Sequence, residues 1–393
     1  MIRSTVAHVD LAALGANFGA IQAFLASDVA TRVSRRSESR SEGGAAASPA
    51  PGIIAAVKAN AYGHGSERVA LALEAAGATM LACADIEEGI VLRQAGVRVP
   101  ILVFGALSVS RLDGVFEFAL TPTISSPSAA RAVQAAAAAR GTSIGYHLKI
   151  DTGMHRLGFR HDNLRRTLPG VLRSPNLRLE AIYTHFATAD VPEHPLFDLQ
   201  RERFEQASQV CAALGAPGVP RHAANSAALL RDSRVWYDIV RPGLLLYGIV
   251  PPPLASTIPL DPVMSLTSRV VAVKGLRPGE GVGYGWRYVA DTPRSIAVVP
   301  AGYADGLDTR LGGRGAVLIR GQRAPIVGAV SMDMITVDVT GVDVQPGDEV
   351  VILGRQGDEA AQRIDAREMA AAIGTIPWEV VCRLGTRVER RFT

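Results

Sequence analysis

The residue in this chain best placed for chemistry is a lysine at the end of an apolar run. Ile53-Ile54-Ala55-Ala56-Val57 leads into Lys58, and Ala59-Asn60-Ala61-Tyr62-Gly63-His64-Gly65 follows. The run reads as a buried strand with Lys58 at its C-terminal end and Tyr62 on a Gly-rich turn. A charged ammonium is unfavourable in apolar surroundings, so desolvation lowers its pKa and leaves a neutral amine. A neutral amine suits Schiff-base chemistry, which makes Lys58 a candidate anchor for a carbonyl cofactor such as pyridoxal 5'-phosphate (PLP). Taken alone, such a lysine reads more readily as a side chain snorkelling from a loop. The residues around it decide between the two.

The elements that must position Lys58 alternate. Candidate strands are 53–57, 79–83, 99–104, 118–122, 144–150, 177–184, 220–223 and 237–240. Between them lie helical patterns such as Ser66–Ala76, Ile86–Ala95, Ser126–Arg140, Asp162–Arg173 and Leu196–Leu214. This succession predicts an α/β fold, a parallel sheet closed into a (β/α)8 TIM-type barrel, with an open doubly wound sheet as the rival. No G-x-G-x-x-G opens a helix after the first strand, which weakens a dinucleotide-binding reading. From about residue 262 the texture becomes β-rich, in Ser265–Val273, Ser295–Val299, Ala316–Ile319, Ile335–Val339 and Glu349–Leu353, with one helix at Ala366–Ile373. The expected division is a barrel over 11–255 and a mostly β C-terminal domain made of 1–10 plus 256–393. Residues 31–52, rich in Arg, Ser, Gly and Ala, read as a flexible surface insertion after a first helix at Leu11–Leu25.

The composition bounds the function. The chain has 393 residues, is 48% hydrophobic and 20% charged, and carries a formal charge of +4. It can bury a large core, and so mild a positive excess does not imply nucleic acid. Cys83, Cys211 and Cys382 are odd in number and far apart, giving neither a disulfide framework nor metal-ligand spacing. The N-terminal residues lack a long apolar run, and no apolar stretch is long enough for a membrane span. A cytoplasmic protein without membrane contact is the expectation.

Six further segments follow Lys58 in order. They are Lys149-Ile150-Asp151-Thr152-Gly153-Met154-His155-Arg156-Leu157-Gly158, Tyr183-Thr184-His185-Phe186-Ala187, Ala224-Asn225-Ser226, Arg241-Pro242-Gly243-Leu244-Leu245-Leu246-Tyr247-Gly248, Gly283-Tyr284-Gly285, and Gly302-Tyr303-Ala304-Asp305-Gly306 with Met332-Asp333 beyond. Together with the Lys58 stretch, this ordered set resembles the bacterial alanine racemases over nearly the whole chain. The resemblance implies a PLP-dependent isomerase that interconverts L- and D-alanine and supplies D-alanine for peptidoglycan. It implies a head-to-tail homodimer whose sites are shared between chains.

The roles follow from the same resemblance. Lys58 and Tyr284 are the two bases on opposite faces of the substrate, Lys58 for the D-enantiomer and Tyr284 for the L-enantiomer. A phenol is a poor base at neutral pH, so positive charge must stabilise Tyr284 as phenolate. Arg241 faces the pyridine nitrogen, and His185 lies by the ring. Tyr62, Ser226, Gly243 and Leu244 hold the phosphate. Arg156 binds the substrate carboxylate, joined by the Met332 backbone N–H, while Tyr303 narrows the entrance. Lys149 matches a lysine that is carbamylated in many relatives, and a carbamate would spare Arg156 a bare positive neighbour.

This sequence departs from the family pattern at His155, where a small residue is usual, and at Ser331, where a cysteine often precedes Met332. Thr386 stands where some relatives carry a tyrosine near the cofactor, and no role is transferred to it. Gly141-Thr142-Ser143-Ile144-Gly145 fits G-x-S-x-G but precedes a strand, so the nucleophile-elbow context is wrong. His185, Asp190 and His194 do not form a recognised metal motif, and no metal is expected. The alternatives are a broad-specificity amino-acid racemase on the same scaffold and a non-catalytic PLP-binding barrel.

Overall fold

The structure, a computed structural model, describes residues 4–38, 49–107, 112–357 and 362–393. Eight parallel strands close on themselves: Gly52–Ala56, Met80–Cys83, Ile101–Val103, Thr121–Ile124, Ile144–Asp151, Leu177–Tyr183, Arg221–Asn225 and Ile239–Arg241. Each pairs with the next, and Ile239–Arg241 returns to Gly52–Ala56. The expected barrel is therefore formed. Its strands read as apolar runs because the helices outside and the packed interior cover both faces.

Several helix limits differ from the sequence reading. The first helix runs from Leu11 to Glu38, so residues 31–38 are helical. Arg and Glu favour helix, and neither Gly nor Pro interrupts the chain there. Residues 39–48 of the expected insertion lie outside the described residues. The pattern 162–173 resolves into Leu164–Thr167 and Pro169–Leu172. Pro169 lacks the N–H that a continuous helix needs. In the second domain, 265–273 is two strands, Met264–Arg269 and Ala272–Leu276, which join different neighbours. A second helix, Pro377–Cys382, follows Ala366–Ile373.

The β-rich part forms a ten-stranded sheet, with a small ribbon of Gly281–Val282 and Tyr288–Val289 beside it. The N-terminal strand Val6–Val9 belongs to this sheet, between antiparallel Met264–Arg269 and parallel Glu389–Phe392. Both ends of the chain thus tie the β-sheet to the barrel. Among the described residues no helix is long and apolar enough to cross a membrane.

Asn17 locks this seam from the first helix. Its side-chain amide donates to Leu246 O at 3.1 Å and Asp261 O at 2.8 Å, and its oxygen accepts from Asp261 N at 2.8 Å. Asn17 is buried. Truncation leaves three backbone groups without partners, so Asn17→Ala should lower the unfolding free energy by about 3 kcal/mol, read from the urea midpoint.

Candidate active site

The site residues of the barrel stand at the C-terminal ends of its strands, where barrel enzymes place their chemistry. Lys58 lies just beyond Gly52–Ala56, whose end is held by Val57 N donating to Ala82 O at 2.8 Å. The chain then does something sequence did not indicate. Ala59, Asn60, Ala61 and Tyr62 all adopt left-handed helical backbone, with φ of 52–53°. Non-glycine residues pay about 1–2 kcal/mol each for that conformation. The turn persists because its surroundings hold it. Ala61 N donates to Val57 O at 2.9 Å and Gly63 N to Ala59 O at 3.0 Å. Asn60 Oδ1 accepts from Ser66 N at 2.7 Å, and Arg390 Nε donates to Gly63 O at 2.8 Å. Gly63 leaves the turn with φ 83° against helix Pro377–Cys382, where a Cβ would lie 2.1 Å from Val381 O.

Glu88 is the residue that sequence reasoning missed here. Its Oε1 accepts from Ala59 N and its Oε2 from Ala84 N, both at 2.7 Å. One carboxylate therefore pins the residue after Lys58 to the end of the neighbouring strand. The signal was Asp85-Ile86-Glu87-Glu88, a helix-start pattern whose Asp85 does cap Glu88 N at 2.9 Å.

Ser226, Gly243 and Tyr62 meet. Asn225 Oδ1 caps the helix that Ser226 opens by accepting from Ala228 N at 2.9 Å. Ser226 Oγ accepts from Gly243 N at 2.9 Å and Leu245 N at 3.4 Å, which leaves its O–H to donate outward. A Cβ on Gly243 would come within 2.3 Å of the Tyr62 hydroxyl, so only glycine admits that approach. Leu244 opens a single 3-10 turn beside them. The Gly243 N–H is given to Ser226 Oγ, so the groups that suit a phosphate here are the Ser226 and Tyr62 hydroxyls and the Leu244 N–H.

Arg241 ends the last barrel strand and is buried. It donates to Thr184 O and Ala223 O at 2.9 Å, to His222 Nδ1 at 2.9 Å, and to His185 Nδ1 at 3.3 Å. Because His222 accepts at Nδ1, its Nε2 donates to His147 Nδ1 at 2.9 Å. His222 also stacks on Tyr183, ring centroids 4.6 Å apart. Burial and Arg241 hold both His185 and His222 well below the ordinary imidazole value, and His147 at about 4. Burial lowers Arg241 to about 10, which leaves it protonated at neutral pH. Gln200, also buried, fixes the His185 turn by donating to His185 O at 3.0 Å and accepting from Ala187 N at 2.8 Å. Neither His222 nor Gln200 stood out in the sequence, since a lone polar residue gives no pattern.

Lys149, Asp151, Arg156 and His185 line one small recess. Asp151 shapes it, accepting from Gly153 N at 3.1 Å and His155 N at 3.0 Å. The unusual His155 is exposed, has a φ of 53°, and pairs with Asp151 at 3.1 Å, so its bulk meets no packing obstacle. Arg156 is exposed and makes no hydrogen bond or ion pair among the described residues. Lys149 is buried, with its Nζ 5.4 Å from the centroid of the Tyr183 ring. Burial, then Arg156, Arg241 and Lys58, bring its amine down to about 8. Burial, then Arg156, also lowers Lys58.

Tyr284, Tyr303 and Met332 lie apart from this group. They are exposed on the β-domain, Tyr284 at 77%, Tyr303 at 46% and Met332 at 52%. Tyr303 and Met332 are brought together by Tyr303 N donating to Ser331 O at 2.9 Å and Ala304 N to Met332 O at 3.1 Å. Thr386 is exposed. The G-x-S-x-G serine, Ser143, is exposed just before strand Ile144–Asp151, at the opposite barrel end from Lys149.

Known proteins resemble this chain over its whole length. The family model described as alanine racemase, N-terminal domain, matches residues 43–251, and the one for the alanine racemase C-terminal domain matches 263–392. The alanine racemase of Symbiobacterium thermophilum is 39% identical over 393 residues, covering 100% of this chain and 97% of that protein. That of Carboxydothermus hydrogenoformans is 43% identical over 342 residues, covering 86% and 91%. Among solved structures, Bacillus anthracis alanine racemase with bound L-Ala-P superposes with a TM-score of 0.86 at 35% identity, covering 100% of this chain and 96% of that one. The enzyme from D-cycloserine-producing Streptomyces lavendulae gives 0.89 at 32%, covering 100% and 98%.

Two outcomes follow from the geometry. Glu88→Gln keeps one acceptor and turns an N–H toward a backbone N–H, so unfolding free energy should drop by about 1–2 kcal/mol in chemical denaturation. For Lys149 the folded amine titrates at about 8, below the unfolded value. The unfolded chain then binds more protons, so the penalty of burying Lys149 is full below pH 8 and fades toward about pH 10.4. In carbon-dioxide-free buffer, Lys149→Met should be more stable than wild type near pH 7, by a margin that shrinks as pH rises through that window.

Proposed function

The chain belongs to the alanine racemase family, PLP-dependent isomerases, and from that premise we propose how its own residues interconvert L- and D-alanine. When bound, PLP delocalises the electron pair left as the substrate Cα loses its proton. The chain supplies the anchoring amine, the phosphate seat and the proton carriers. The observation that carries this reading is the meeting, at one barrel end, of a desolvated Lys58, the Ser226–Gly243–Tyr62 seat and the buried guanidinium of Arg241.

Lys58 is held below its ordinary pKa, so a neutral amine is accessible to take a proton from one face of Cα and return it. We assign the other face to Tyr284 of the partner subunit. Its high exposure, shared with Tyr303, Met332 and Trp286, leaves an aromatic surface of the kind a protein partner covers. Arg241 has its guanidinium engaged by neutral acceptors and keeps its proton. It can donate to a ring nitrogen without protonating it, which limits how strongly the ring withdraws electrons. Gln200 and Arg241 together fix His185 beside that position.

Arg156 and the backbone N–H of Met332 of the partner subunit are assigned to the substrate carboxylate. Lys149 has the neutral-amine character that carbon dioxide needs for addition, R–NH2 + CO2 giving R–NH–COO⁻ and a proton. The resulting anion would pair with Arg156 and remove an uncompensated buried cation. We further propose that the enzyme works in the cytoplasm as a homodimer and makes D-alanine for peptidoglycan. The cysteines Cys83, Cys211 and Cys382 are unpaired, which agrees with a reducing compartment.

A mixing experiment tests the shared site. Lys58→Ala and Tyr284→Phe should each be nearly inactive, with turnover down at least about a hundredfold. After subunit exchange, half the dimers should be mixed, and one of their two sites keeps both bases. Racemisation should return to about a quarter of wild type. If exchanged mixtures stay inactive while both variants retain cofactor, Tyr284 does not act across chains.

A further inference from the structure

Tyr303 and Met332 stand on two turns of the β-domain, 302–306 and 331–334, that are separate in sequence and abut in space. A Cβ on Gly302 would lie 2.4 Å from both Ser331 O and Met332 O, so the turns touch with no room for a side chain between them. The second turn is closed on itself. Ser331 Oγ donates to Met334 O at 2.8 Å and accepts from Met334 N at 3.0 Å. The Met332 N–H has no hydrogen-bond partner among the described residues, so it is free to donate to a ligand.

A third segment ties the two turns together. Arg387 Nε donates to Asp305 Oδ1 at 3.0 Å, and its Nη2 donates to Asp333 Oδ1 at 2.6 Å. Asp305 is wholly buried, and its Oδ2 accepts from Gly302 N at 2.8 Å. Gly385 N donates to Asp305 O at 3.2 Å, which holds the arginine's own segment against the first turn. One guanidinium thus bridges the residue two after Tyr303 and the residue one after Met332. A planar fork fixes the spacing between its acceptors, which a flexible ammonium does not. The carboxylate of Asp305 is removed from water, so withdrawing the guanidinium from it is costly. Asp333 is exposed, so its arm of the bridge gives direction rather than stability.

We propose that Arg387 is a positioning residue for alanine turnover. By fixing the 331–334 turn against the 302–306 turn, it sets the Met332 N–H, which receives the substrate carboxylate, relative to Tyr303, which bounds the entrance. The proposal rests on the shared-site reading above, so Arg387 serves the site built around the partner subunit's Lys58. The carboxylate contact is made in the ground state and the transition state alike, so loosening it weakens binding more than chemistry.

Steady-state racemisation of L-alanine by the PLP-loaded enzyme tests this. Asp333→Ala removes the exposed arm and leaves the pair with buried Asp305, so the variant should fold, which its thermal midpoint checks. It should raise KM at least about fivefold and keep kcat within about twofold. Arg387→Met should raise KM at least as far. The double variant should go no further than Arg387→Met alone, because both changes break one bridge. In a doubly tagged heterodimer of Lys58→Ala and Arg387→Met chains, the one site that keeps Lys58 faces an unaltered β-domain. Its KM should be that of wild type. Three results overturn the proposal: an unchanged KM in Asp333→Ala, a loss confined to kcat, or a heterodimer KM as high as that of the Arg387→Met enzyme. The last would also arise if sites were not shared, and the exchange of Lys58→Ala with Tyr284→Phe separates the two cases. Recovered turnover in that exchange keeps the shared site and removes only the role of Arg387.

Discussion

Everything at the barrel mouth answers to one electrostatic constraint. Burial, then Arg156 and Arg241, lowers the affinity of both Lys58 and Lys149 for protons, and Lys58 lowers that of Lys149 further. The nearby carboxylates do not neutralise them by direct pairing. Asp151 is engaged with backbone N–H groups and His155, and Glu88 with Ala59 N and Ala84 N. The site is therefore a cationic basin in a partly desolvated setting. It favours anions, which describes both a phosphate and an amino-acid carboxylate, and it favours a neutral amine on Lys58. The same imbalance makes a carbamate on Lys149 physically sensible, since it adds the anion that the protein omits.

That basin needs Lys58 in one place, and the backbone achieves this by an unfavourable route. Four left-handed residues follow the lysine, a conformation retained only where the surroundings over-determine it. Here the surroundings come from three separate parts of the chain. Glu88 comes from the next barrel unit, while Arg390 and helix Pro377–Cys382 come from the β-domain. The second domain is thus a structural partner of the cofactor loop within its own chain, whatever it also offers to a neighbour. Asn17 and the paired N-terminal strand keep that domain seated.

The two domains divide the chemistry unequally. The barrel holds Arg241, His222, Ser226 and Gly243 in a hydrogen-bonded network, while Lys58, Lys149 and Arg156 make no side-chain hydrogen bond among the described residues. The β-domain presents Tyr284, Tyr303 and Met332 outward, on turns fixed by backbone bonds. A single chain has a seat at the barrel mouth and, on the β-domain, an exposed set of aromatic and apolar groups. This asymmetry is what a head-to-tail pair would use.

Much of this was legible in the residues. Each barrel strand overlapped a candidate strand, and most are apolar runs because both faces are covered, Arg221–Asn225 with its buried His222 being the polar exception. Lys58 and Arg241 stood at the ends of such runs, and the C-terminal ends of parallel strands gather at one rim. The first helix extends past Leu25 to Glu38, because the Arg- and Ser-rich composition that suggests a loop contains nothing there that breaks a helix. Other features depended on contacts that no local pattern encodes. The left-handed turn after Lys58, the pairing of Glu88 with that turn, and the chain of Arg241, His222 and His147 all join residues distant in sequence. Sequence alone determined which side chains could do chemistry and which elements would carry them, since hydrophobic periodicity and residue type are local properties. Only the tertiary structure decided their charge states and exact partners, because desolvation and hydrogen bonding depend on what the folded chain brings alongside.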